Sequence, residues 1–188
     1  MAILKHISVK NRFYSSAVEY LTCQFDEYTN KPVLDEKGRI QERENYLIVG
    51  VNCDVDSFGA ECIEVNRLYG KNNSVKDVKA HHYIISFEPN DPITIEQALE
   101  FGKQWLSVFA PGHQAVVAVH PDGHNGSQNM HVHMVINSVR KYAGKQSRWH
   151  EKPCEWKLGC KHKSTGKMMF HAKKWVMEKC IRLGLGQV

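Results

Sequence analysis

No run in this 188-residue chain approaches the ~20 consecutive apolar residues that cross a bilayer. The first nine residues carry Lys5 and His6, with neither the apolar stretch nor the cleavage site of an export signal. Cysteine is sparse. Cys23, Cys53, Cys62, Cys154, Cys160 and Cys180 are too scattered for a disulfide scaffold, so the expectation is free thiols in a reducing cytoplasm. There is no internal repeat or low-complexity tract. Acidic residues are scarce at one end only: residues 140–188 hold 3 against 13 Lys and Arg. Residues 1–139 reverse the balance, with 17 acids against 12 bases. A polyanion brought to the chain would be gripped by residues 140–174. A hydrophobic content of 42% and a charged content of 24% describe a soluble globular chain, expected to form one domain over residues 1–188.

Local patterns give an order of elements. Ile3–Val9 reads as a strand. Ser16 and Glu19 fit a capping box that starts a helix, with Phe13, Ala17 and Leu21 as its buried stripe and Tyr20 near the edge. Residues 30–44 are polar, contain Pro32 and Gly38, and read as a loop. A strand over Tyr46–Val51, a helix over Asp54–Tyr69 and a strand over His81–Phe87 follow. Thr94–Phe109 is the clearest helix, with Ile95, Leu99, Gly102, Leu106 and Phe109 facing inward and Pro111-Gly112 ending it. Strands over Gln114–His120 and Met130–Val139 come next. A basic, turn-rich stretch and a last helix over Phe170–Leu183 close the chain. This order predicts an α/β two-layer sandwich with a largely antiparallel central sheet.

The chemistry concentrates in histidines. His131 and His133 flank Val132 in an apolar run, and alternate side chains of a strand share a face. Met134 and Ile136 are expected to continue that face. His120 ends the preceding apolar run. If the two strands pair, three imidazoles converge, enough to hold a divalent metal with open positions. Asp122 either orients a ligand imidazole or acts as a base, or else forms an Asx turn at Pro121-Asp122-Gly123. His124 sits in a loose Gly/Asn/Ser loop and is a poor ligand. Asn137 falls on the histidine face, where its amide could hold phosphate or sugar. Cys154, Cys160 and His162, with His171 as an arbitrary fourth, make a weak zinc pattern, and Trp156 among them reads instead as a local packing anchor. A metal of this kind neutralises a phosphate oxygen but supplies no nucleophile that stays covalently linked. Tyr20, Tyr14 and Tyr28 are the hydroxyl candidates, and Tyr20 gains from a rigid helix.

These residues resemble the relaxase/mobilization nucleases, the HUH-type enzymes. His120-Pro-Asp122 followed by His131-Val-His133-Met-Val-Ile-Asn137 matches the third family motif. His82-Tyr-Ile-Ile-Ser86-Phe87 matches the second, and Ala17-Val-Glu-Tyr20-Leu-Thr the first. Tyr46-Leu-Ile-Val-Gly50-Val-Asn52-Cys53 is similar to a stretch in relaxases of integrative elements. The spacer between His120 and His131 is longer than the family's, and Cys23-Gln-Phe-Asp-Glu replaces an expected lysine-rich stretch.

The resemblance implies an HUH endonuclease-like fold and a site-specific single-stranded DNA endonuclease and strand transferase. It implies Tyr20 as nucleophile, a 5′-phosphotyrosine intermediate, and Mn²⁺ or Mg²⁺ on His120, His131 and His133. Since some relatives use a histidine nucleophile, His6 is a further candidate. Ser86 would contact DNA near the cut. His82 reads as core-facing rather than catalytic. Arg140, Lys141, Tyr142, Lys145, Arg148 and Trp149 would bind a hairpin beside the nick. Implied partners are origin-of-transfer DNA, accessory mobilization proteins and a secretion coupling protein. The implied location is the bacterial cytoplasm, without membrane insertion and with transfer to a recipient while attached to DNA. Two other readings compete: a non-enzymatic DNA-binding module, and a replication initiator with related chemistry.

Overall fold

The computed structural model describes residues 2–11, 14–26, 29, 31–121 and 129–186. Its elements, in chain order, are β1 (Ile3–Val9), α1 (Ser15–Thr22), β2 (Leu47–Val51), α2 (Phe58–Leu68), β3 (Ala80–Ser86), α3 (Ile95–Phe109), β4 (His113–His120), β5 (His131–Arg140) and α4 (Gly166–Leu183). The five strands form one sheet in the order β1-β3-β5-β4-β2, and every neighbouring pair is antiparallel. The α/β fold with an antiparallel central sheet expected from the sequence is the observed architecture, but α1 and α2 cover one face and α3 and α4 the other, so there is a third layer beyond the two expected.

One face packs Tyr83, Ile85, Val117, Val132, Met134 and Ile136 against Phe101, Trp105 and Phe109 of α3 and Met168, Ala172 and Val176 of α4. The other packs Ala80, Val116, Ala118 and Val135 against Leu21 of α1, Phe58 and Cys62 of α2, and Tyr14 just before α1. Covered on both sides, β4 and β5 are buried nearly throughout. Met134 and Ile136 thus face α3 and α4, away from the two histidines. The period of two puts Val135 and Asn137 on the histidine face instead, so the expected continuation is corrected.

Local signals explain most boundaries. Thr94 and Gln97 form a reciprocal capping box at the start of α3. The box expected at Ser16 and Glu19 is not made: α1 starts at Ser15, and Tyr14 at its N-cap gives no side-chain cap. The Thr165 side chain accepts from Met168 N and starts α4 a turn earlier than expected, while Gly184 ends it at φ 67°. The inner face of α3 is rotated from the expected stripe: Ala98, Phe101 and Trp105 are buried beside Gly102, Leu106 and Phe109. Gly102 lets this helix lie close on the sheet. A Cβ there would lie 2.6 Å from Val132 Cγ1 and 2.9 Å from Val117 Cγ1. Among the described residues, no helix is long and apolar enough to cross a membrane.

Candidate active site

Strand register assembles the site. His120 on β4 stands opposite His131 on β5, and His133 stands opposite Ala118 on β4 and Ile84 on β3. All three histidines project from the α1/α2 face. The rings of His120 and His133 are 4.6 Å apart between centroids, and those of His131 and His133 are 6.1 Å apart. His120 and His133 are buried, and His131 is half-buried.

Helix α1 closes the cluster from above. His120 Nε2 donates to the Leu21 carbonyl at 2.7 Å, one of the C-terminal carbonyls a helix cannot satisfy itself. A carbonyl only accepts, so the proton is on Nε2 and the lone pair on Nδ1. One residue earlier, half-buried Tyr20 stands beside the cluster, its ring 6.3 Å from His133, 6.1 Å from His82 and 5.3 Å from Phe25.

The other nucleophile candidates lie elsewhere. Tyr14 is buried, its hydroxyl accepting from Asn66 Nδ2 at 2.7 Å and facing the Lys79 carbonyl at 3.0 Å. Burial pushes that phenol well above the ordinary range, the wrong direction for an attacking oxygen. His6 stands opposite Tyr83 on the α3/α4 face, and its Nε2 is 2.9 Å from His81 Nδ1. The sheet separates it from the cluster. Tyr28, Asp122 and His124 lie outside the described residues.

Burial holds His133 far below the ordinary histidine range, helped by His120, His82, His131 and Arg43. His82 is pushed down to about 4 by burial. Neutral imidazoles with available lone pairs are what a divalent cation needs. His133 Nε2 is buried without a hydrogen-bond partner, as a nitrogen reserved for a ligand would be. The donor chemistry therefore fits a cation. Among the described residues, however, no three His, Cys, Asp or Glu side chains form a ready ligand set.

Residues 28–163 match the family described as "Relaxase: MobA/VirD2-like, nuclease domain". The chain belongs to this relaxase family. It is 36% identical over 103 residues to protein rlx of Staphylococcus aureus, covering 55% of this chain and 30% of that protein. It is 40% identical over 99 residues to the group II intron-interrupted relaxase LtrB of Lactococcus lactis subsp. cremoris, covering 52% of this chain and 15% of that one. The relaxase chain thus spans under a third of the length of these relatives. A solved structure described as "Molecular Basis of Vancomycin Resistance Transfer in Staphylococcus aureus" shares the fold at a TM-score of 0.54 and 15% identity, covering 99% of this chain and 95% of that one.

Other expected contacts of this relaxase domain are redistributed. Ser86 is half-buried opposite His131, at the site. Asn137 is fully buried: its Nδ2 donates to Gln114 Oε1 at 3.1 Å and its Oδ1 is 3.3 Å from the Tyr14 hydroxyl. It is a core residue, not a sugar or phosphate contact. Arg140 is 1% exposed and donates to the Pro111 carbonyl. Trp149 packs on Phe109 at 4.7 Å, in the α3/α4 core. Lys141 pairs with Glu61 at 3.0 Å. Tyr142, Lys145 and Arg148 are exposed. All of these from Arg140 onward start at the far end of β5, about 30 Å from His131 at ~3.3 Å per residue. The basic stretch follows the histidines in sequence and leaves them in space. His162, offered for zinc, is buried against the Tyr83 hydroxyl at 2.8 Å.

Two further residues adjoin the cluster: His82, which the sequence named but read as core-facing, and Arg43, which it did not single out. His82 Nε2 lies 3.0 Å from His133 Nδ1, a diagonal contact that depends on β3–β5 register. Arg43 lies in the stretch read as a loop. Its backbone N–H bonds the Thr22 carbonyl at 2.9 Å, and its charge reaches His133. A lone arginine in a polar stretch carries no sequence signal for this.

Proposed function

We propose that this relaxase domain cuts one strand of origin DNA by transesterification at Tyr20. The reading rests on one observation: Tyr20 stands beside His133, on the sheet face that also holds His120 and His131. The Tyr20 oxygen attacks the scissile phosphorus, the bond to the 3′ oxygen breaks, and a 5′-phosphotyrosine forms. The phenolic proton goes to a base, for which Asp122 is the proposed group, and the leaving 3′ oxygen takes up a proton. Attack by a 3′-hydroxyl reverses the step and rejoins a strand. His120, His131 and His133 would hold Mn²⁺ or Mg²⁺. Such a cation supplies charge neutralisation at the phosphate oxygens. Arg43 adds a second positive charge on that side, and Ser86 lies where the strand would pass.

The exposed Tyr142, Lys145 and Arg148 suit a hairpin rather than the cut itself. The far end of β5, from which this segment continues, lies ~30 Å from His131, roughly nine base pairs of duplex. On this reading the domain works in the bacterial cytoplasm with accessory mobilization proteins and a secretion coupling protein, and enters the recipient joined to DNA.

The test is a single-stranded oligonucleotide carrying the cognate origin, incubated with Mn²⁺. The expected product is protein covalently retained on the 5′ end of one fragment, with peptide mapping finding the DNA on Tyr20. DNA on Tyr28, or binding with no cleavage at all, would overturn the reading.

A further inference from the structure

His82 projects from β3 beside the three-histidine set, and its Nε2 lies 3.0 Å from His133 Nδ1. Two neutral imidazoles in this contact share one proton, and its position decides what the far nitrogen of His133 can do. In one arrangement His133 Nδ1 carries the proton and donates it to His82. His133 Nε2 then presents a lone pair. In the other, His82 donates, and the proton of His133 moves to Nε2. That nitrogen is buried and meets no acceptor. A buried N–H without an acceptor is rarer and costlier than an under-used acceptor. The first arrangement is therefore favoured before any cation arrives.

We propose that His82 is a positioning residue. By accepting the Nδ1 proton of His133, it fixes the tautomer in which His133 Nε2 faces the site as a free lone pair for a divalent cation. This rests on the metal reading given under Proposed function. The pairing of His82 with Val135 and of Ile84 with His133 sets the two rings diagonally across central strands. The Tyr20 ring stands edge-on to both imidazoles. Partners of this kind commonly change metal affinity ~10–100-fold when removed.

Mn²⁺ titration of the purified domain, followed by the EPR signal of free Mn²⁺, tests the assignment. His82→Leu, which removes the acceptor, should weaken binding by about tenfold or more. His82→Gln, which restores an acceptor oxygen, should recover most of the loss. Nitrogen NMR of the metal-free wild-type domain should show His133 protonated on Nδ1. A folded His82→Leu domain with wild-type Mn²⁺ affinity would overturn the proposal, as would a wild-type His133 protonated on Nε2. Wild-type protein that binds no Mn²⁺ would instead sink the metal reading, and the NMR tautomer alone would then decide the role of His82. The same NMR result decides it if His82→Leu does not fold.

Discussion

Two tyrosines six residues apart meet different fates. Tyr14 is sealed in the core, where its hydroxyl faces Asn66, Lys79 and Asn137. Tyr20, on the next turn but one, keeps part of its surface and stands beside the histidines. Tyr20→Phe should abolish the covalent protein–DNA adduct on denaturing gels with the fold retained. Tyr14→Phe should do the reverse, keeping adduct formation and losing about 1–3 kcal/mol in urea unfolding, because the Asn66 amide loses its acceptor. His133→Ala should lower cleavage more than tenfold in metal-defined buffer with the fold retained. Undiminished nicking by that variant would remove His133 from the chemistry.

Helix α3 sits where it does because residue 102 has no side chain. Alanine normally favours a helix interior over glycine by about 1 kcal/mol. Here the added methyl would meet the stiff, fully buried side chains of Val117 and Val132 at 2.9 and 2.6 Å. Overpacking should win, and Gly102→Ala should lose on the order of 1–3 kcal/mol in urea melts. A more stable variant would show that α3 shifts freely over the sheet. Strand β5 has the opposite role, carrying the chain from the histidine end to the basic end.

At the scale of the molecule, the two sheet faces hold separate histidine groups. On the α3/α4 face, burial pushes His81 down to about 3 and holds His113 and His162 far below the usual range. The charged neighbours acting on them are His6, Arg140 and Lys161, which push the same way. The unfolded chain takes up protons at these rings near pH 6.5, whereas the folded chain resists. Protons therefore favour unfolding. Stability should be full above about pH 6.5 and fall steadily below it, flattening for His81 only near pH 3. Thermal melts between pH 8 and pH 4 in metal-free buffer check this; a constant melting temperature would contradict it.

The order of strands and helices and the common face of His131 and His133 were legible in local patterning alone. Both follow from periodicities that are local and built into the backbone. Pairing brought His120 to the same face, as the two apolar runs promised. The rest came from packing between segments remote in the chain. His6 and His82 are equally plain in the sequence, yet register and layering put one behind the sheet and the other against His133. Asn137 and Arg140 look like ligand-binding residues until the layers close over them. The basic stretch adjoins His133 along the chain but ends far away, because an extended strand separates its own ends by its full length. Distance through the fold depends on which strands pair and which helices cover them, and that is set by contacts between residues remote in sequence.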